Sequence, residues 1–173
     1  RSPRRLDAET LRDAVLGTSG QLNLARGGPG FRDFKYTEAY APIYEYTQTD
    51  APEMARRSIY RFIVRTTPHQ FLTTLDCPDP ANMTPARSQT TTALQALALS
   101  NNAFMLQQSR HMTTRIQEET PDRNAQIERA FQRCFQRQPL LEEREIAGRL
   151  VSEHGLFALC RMLLNSNEFV YLD

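Results

Sequence analysis

The sequence is poor in lysine. Lys35 is the only one, and arginine supplies every other cation among the 21. A reaction built on a lysine Schiff base is therefore disfavoured. Arginine keeps its charge when partly buried and pairs with carboxylates through a planar fork. Most of the arginines are nonetheless expected at ordinary surface positions. Cysteine is scarce as well: Cys77, Cys134 and Cys160 make an odd count with no C-x-x-C pair. That excludes a disulfide framework and a standard zinc knuckle. Cys134 and Cys160 fall on apolar helical stripes and read as small core residues. Cys77, in a proline- and aspartate-rich loop, is expected to be the accessible one. No apolar run approaches the roughly 20 residues that a membrane span needs, so no membrane insertion is expected. A net charge of +1 lacks the basic excess of a nucleic-acid surface. The start, Arg1-Ser2-Pro3-Arg4-Arg5, has neither an initiator methionine nor an apolar leader, and reads as the interior of a longer chain.

The 173 residues suit one domain or the C-terminal portion of a larger one. The expected fold class is mainly α: an irregular helical bundle with a small two-stranded antiparallel β element and long ordered loops. Residues 1–88 read as a helix, loops and the β element, and 89–173 as the helical part. The first helix is expected from Asp7 to about Leu16, capped by Asp7, with Leu11, Ala14 and Val15 inside and Gly17 and Gly20 as stops. Gly27-Gly28-Pro29-Gly30 lacks the spacing of a phosphate-binding loop and reads as a tight turn with positive φ. Ile43–Thr47 and Ser58–Arg65 are β-prone and are expected to pair across a linker of turn formers that includes Asp50. A helix is the competing reading for the second segment.

Beyond residue 88 the pattern is helical. Thr92 to about Leu99 carries Leu94, Leu97 and Ala98. Asn101 or Asn102 caps the next helix, with Met105, Met112 and Ile116 on one side. Thr120-Pro121 reads as the start of a helix with strong periodicity at Ile127, Ala130, Phe131, Cys134 and Phe135. Pro139 ends it. A further helix carries Ile146, Leu150 and Val151, and Gly155 separates it from a last one with Leu156, Leu159, Cys160, Leu163 and Leu164.

No convergent catalytic set is visible. G-x-S-x-G is absent, and His111 and His154 stand alone on helices. His69, Asp76, Cys77 and Asp79 lie close in sequence but lack a recognised ligand spacing, so no metal site is expected. No C-x-x-C-H occurs, so the chain attaches no c-type haem itself. Arg5, Asp7, Glu9, Arg12 and Asp13 form a structural charge network at helical spacing, with Arg5–Glu9 and Glu9–Arg12 as expected pairs on a solvated face. Arg56, Arg57, Arg61 and Arg65 could grip an anionic ligand or a partner's carboxylates, or pair inside the fold with Asp7, Glu9, Asp13, Asp76 or Asp79. Tyr44 and Tyr46, with Tyr36 and Tyr40, could stack on or hydrogen-bond to a ligand. Asp76 and Asp79 complete the candidate ligand- or partner-binding set.

Several segments together carry a resemblance. They are Arg4-Arg5-Leu6-Asp7-Ala8-Glu9 with Arg12-Asp13-Ala14, Gly27-Gly28-Pro29, Arg56-Arg57-Ser58-Ile59-Tyr60, Asp76 to Asp79, Thr90 to Leu99, and Leu163-Leu164-Asn165-Ser166-Asn167-Glu168-Phe169. In this order they resemble the domain of unknown function at the C-terminal end of large planctomycete proteins that begin with a cytochrome c-like domain. Met83 departs from the pattern, since relatives often have cysteine there. The resemblance implies an exported, periplasmic or cell-surface multi-domain parent with haem only in an upstream domain, and it carries over no catalytic residue. The lack of a convergent catalytic set and the arginine–carboxylate content point to a non-catalytic scaffold or interaction domain, with upstream domains of its own parent chain as the expected partners. The alternative is a domain that binds or processes a polyanion or carbohydrate, with polysaccharide as the partner.

Overall fold

The computed structural model describes residues 3–47 and 51–172. The fold is mainly α, with seven α-helices among the described residues and two small antiparallel strand pairs. Chain order is β1 (Arg4–Arg5), α1 (Ala8–Ser19), β2 (Phe34–Thr37), β3 (Ile43–Tyr46), α2 (Gln70–Thr74), α3 (Ala93–Asn101), α4 (Ala103–Glu119), α5 (Arg123–Phe135), α6 (Leu141–Leu164), α7 (Asn167–Val170) and β4 (Tyr171–Leu172). Short 3-10 turns at Pro52–Ala55 and Ser58–Tyr60 sit between β3 and α2.

Helix α4 is the central strut. Its Met105, Met112 and Ile116 are fully buried, and both α1 and α6 pack on it. Each such side chain contributes roughly 1.5–3 kcal/mol by leaving water. Asn102 caps it by accepting the Phe104 amide at 2.9 Å. Helix α1 runs past Gly17 to Ser19, three residues beyond the expected end at Leu16, where Gly20, the second expected stop, caps it at positive φ; Ala8, Leu11 and Val15 seat it in the core. Ile127, Ala130 and Phe131 of α5 are buried as their spacing requires. Its cap is Asp122, which accepts the Ala125 amide at 2.7 Å, rather than Thr120-Pro121. Thr120 instead closes α4. Gly155 breaks α6 with φ 80° and ψ 167°, a conformation that only glycine adopts without strain. All five apolar residues expected after the break are buried.

Two helical faces differ from the sequence pattern. Leu94 and Leu97 of α3 are exposed, and Gln95 and Leu99 point inward. Gln95 turns the helix: its side chain donates to Asp76 and to Thr90, and closes a capping box with Thr92. In α6, Ile146 is exposed and Ala147 takes the buried position.

The β element is a correction. Ile43–Tyr46 pairs with Phe34–Thr37, in register from Phe34↔Tyr46 to Thr37↔Ile43, and not with Ser58–Arg65. The Ser58 amide and hydroxyl both donate to Asp13 at 2.7 Å, which removes that amide from any ladder and curls the chain into a 3-10 turn. Beyond it Arg61 makes one parallel bridge to Phe31. Gly27 and Gly28 take positive φ, as the glycine-rich turn requires. The turn expected at Asp50 lies outside the described residues.

Three arginines fasten the loops to the helices. Arg12, on α1, donates to the Met54 carbonyl at 2.6 Å, the Arg56 carbonyl at 2.9 Å and the Ser58 hydroxyl at 3.2 Å. Arg56 donates to the carbonyls of Gly27 at 2.6 Å and Pro29 at 2.8 Å, and stacks on Tyr60. Arg5 donates to the Leu75 and Thr90 carbonyls at 3.0 Å and to Asp76 at 2.6 Å. All three are at most 9% exposed. An Arg12→Met variant keeps the apolar stem and strips the donors from two carbonyls. It is expected to lose about 3 kcal/mol of stability in urea denaturation, from unpaired buried groups. An Arg149→Met variant, at an exposed site on α6, is expected to match the parent.

Candidate functional site: the Asp33–Arg61–His69 corner

Loop residue Asp33, turn residue Arg61 and loop residue His69 meet behind the β2–β3 hairpin. The bridge from Phe31 to Arg61 brings the two loops side by side. Arg61 Nε donates to Asp33 Oδ2 at 2.6 Å, and His69 Nε2 stands 3.5 Å from the same oxygen. The Arg61 guanidinium lies 5.1 Å from the Tyr46 ring, and the His69 ring meets that tyrosine edge-on at 4.8 Å. The Tyr46 hydroxyl donates to the Thr67 carbonyl. The pair is half-closed: Asp33 Oδ1 and Arg61 Nη2 are buried without a hydrogen-bond partner.

His69 also caps α2, its Nδ1 accepting the Leu72 amide at 3.4 Å. The neutral ring therefore carries its proton on Nε2, facing Asp33. Both nitrogens are engaged, which suits a positioning role better than proton transfer. Burial, followed by repulsion from Arg61, pushes the His69 pKa down to about 4 against the pull of Asp33. A cavity of about 70 Å³ opens beside this corner, lined by Asp33, His69 and Arg12 with Phe71 and Phe104.

Asp33 escapes sequence reasoning because nothing around it marks a loop aspartate as the partner of an arginine 28 residues later. Arg56 stands in the expected arginine cluster, but its acceptors are backbone carbonyls, which no motif records.

The other candidate residues disperse. Arg57 is exposed, and its Nε stands 3.5 Å from Asp13. Arg65 is exposed in the turn before His69. Tyr44 is half-buried in the hairpin against Phe34 and Tyr36. Asp79 is exposed and accepts the Ala81 amide at 2.9 Å within its own turn. Asp76, at φ 61°, joins β1 to the start of α3. Burial would raise its pKa, but the Thr90 amide and hydroxyl and the Arg5 guanidinium outweigh that and hold it below the ordinary carboxylate range.

The helix-face pairs are re-partnered. Glu9 takes Arg87 in a two-armed pair at 2.8 and 2.9 Å, Arg5 takes Asp76, and Arg12 reaches carbonyls. Asp7 lies 3.8 Å from Arg87. Arg5 and Arg12 are buried, so the expected solvated face is half internal. Cys77 is half-buried, and burial followed by the Glu9 carboxylate pushes its thiol up to about 11. Among the described residues no group of three or more His, Cys, Asp and Glu is arranged to hold a metal ion. Among the same residues no helix is long and apolar enough to cross a membrane.

A mainly helical domain with arginine-fastened loops is what the fold and this corner define. The chain belongs to the PSD1 family, described as proteins of unknown function (DUF1553), whose profile matches residues 1–151. No match is found among curated proteins or among solved structures.

The lowered His69 pKa fixes a pH dependence. Between about pH 4 and 6.5 the unfolded chain holds a proton on His69 that the folded chain does not. Stability contributed by the neutral ring is thus present above pH 6.5 and is lost as pH falls toward 4. His69→Asn keeps an acceptor at the cap and removes the titration. Chemical denaturation from pH 7.5 to 4 is expected to give a smaller acid loss for this variant than for the parent. Parallel curves would assign the acid loss to carboxylates alone.

Proposed function

We propose that this chain is a non-catalytic interaction domain that packs against other parts of its parent protein. The observation that carries this reading is where the charges go. Arg5, Arg12, Arg56 and Arg61 direct their guanidinium groups at the chain's own carbonyls and carboxylates. Meanwhile Ile59, Phe62 and Ile63 face solvent on the loop half of the molecule. A site that grips a polyanion needs the opposite arrangement, with open arginines and a covered apolar surface. In this reading the parent is an exported, cytochrome c-associated multi-domain protein of the planctomycete type. Its haem sits upstream, and its upstream domains are the partners.

A second reading, as a polyanion- or carbohydrate-binding domain, draws on the exposed Tyr36 and Tyr40 of the hairpin and on the exposed Arg57 and Arg65. Calorimetric titration against the recombinant upstream portion of the parent, at low and high salt, separates the two. The expected result is micromolar or tighter binding that changes little with salt, because apolar contacts dominate. Absence of heat there, with heat from a sulfated or neutral glycan, would replace the first reading by the second.

A further inference from the structure

We propose that the groove between α1 and the Ser58–Tyr60 turn is a docking site for an extended peptide segment carrying an apolar side chain beside a carboxylate. It rests on the interaction reading above only for the identity of the protein that carries the segment. The groove has a volume of about 420 Å³. Leu72 and Cys77 line it, and Ile59 and Ile63 stand on it 76% and 58% exposed. A single exposed isoleucine is ordinary. Two on one concave surface, one on the turn and one just beyond it, offer the apolar core of an interface.

The turn is held from beneath. Ser58 is fixed by Asp13. The Arg57 carbonyl accepts the Tyr60 amide at 2.9 Å, and the Arg56 carbonyl is occupied by Arg12. A rigid wall lowers the ordering cost of binding.

Charge selects the occupant. The two groove carboxylates are already engaged, Glu9 by Arg87 and Asp13 by Ser58. Arg61 is turned to Asp33. Arg57 is the groove cation left open: its side chain is 58% exposed, and its one ion-pair contact among the described residues runs through Nε, 3.5 Å from Asp13. This exposed guanidinium would pair with an incoming carboxylate while the neighbouring apolar side chain enters between Ile59 and Ile63.

The test uses two arms. In the first, a nonapeptide with a central leucine–glutamate pair in a glycine–serine background is titrated into the isotope-labelled chain. Saturable amide shifts are expected around residues 57–63 and 72–77. Affinity is expected to be about tenfold weaker when lysine replaces the glutamate or serine replaces the leucine. Arg57→Glu should reverse the preference toward the lysine peptide. Equal affinity for all three peptides, or shifts elsewhere, overturns the proposal. In the second arm the upstream portion of the parent is titrated into Arg57→Glu and into the Ile59→Asp/Ile63→Asp double variant. All replaced residues are solvent-facing, and unchanged thermal midpoints confirm folding. A loss of about tenfold or more in both, with Arg149→Glu unaffected, supports the groove. Binding that survives both changes leaves the interaction reading standing and removes the groove from it. Failure of the upstream portion to bind the parent chain overturns the interaction reading alone, and the peptide arm then decides the groove.

Discussion

The structure depends on guanidinium groups buried against backbone carbonyls. Between α1 and α3 the chain has long stretches without regular structure, and their carbonyls need donors once covered. Arg12 serves the Met54 and Arg56 carbonyls, Arg56 those of Gly27 and Pro29, and Arg5 those of Leu75 and Thr90. One planar fork spans two or three acceptors, which a single ammonium on a flexible stem does less well. The scarcity of lysine thus has a structural side at these positions. The fastening is incomplete, since Nε of both Arg5 and Arg56 is buried without a partner. Buried charge of this kind contributes less to net stability than to holding one loop arrangement against others.

The same arrangement shapes the surface. Arg5, Arg12, Arg56 and Arg61 spend their charge inside the loop half, while Arg57 and Arg65 stay exposed. Also outside there are the aromatic hairpin and the isoleucines around the Ser58 turn. Asp33, Arg61 and His69 have the composition of a reactive site, yet each polar contact they make fixes another loop. Arg61 and Tyr46 stack, and the His69 cap starts α2. Their shared work is to hold the hairpin and the Ser58 turn in one frame.

Legibility from sequence divides along the chain. From residue 89 onward the helices follow their apolar spacing, because neighbours three and four apart share one face and nearby caps set the ends. The exceptions are instructive. Leu94 and Leu97 fit a stripe, but Gln95 has polar partners in the loop before it, and satisfying a buried amide outweighs hiding two leucines. In the first half, β-prone residues at 58–65 fail to form a strand because Asp13, 45 positions earlier, captures the Ser58 amide. Loop path and charge pairing there are set by contacts tens of residues apart. Arg57, Arg61 and Asp76 are visible as charged candidates, and Asp13 is among the partners offered for Arg57, but Asp33 for Arg61 and Arg5 for Asp76 are not.

The pairing of β1 with β4 sets Arg4 beside Leu172, so both ends of the described chain leave from one edge. Tension applied through those ends meets an antiparallel pair from its open side. The rungs are then loaded one after another instead of together, as they would be in a sheared parallel pair. Pulled within a longer polypeptide, the domain would open at small force, peeling β4 and α7 away first while the α4–α6 contact stays closed. The molecule is stiff where its arginines grip and mechanically soft where β1 and β4 pair.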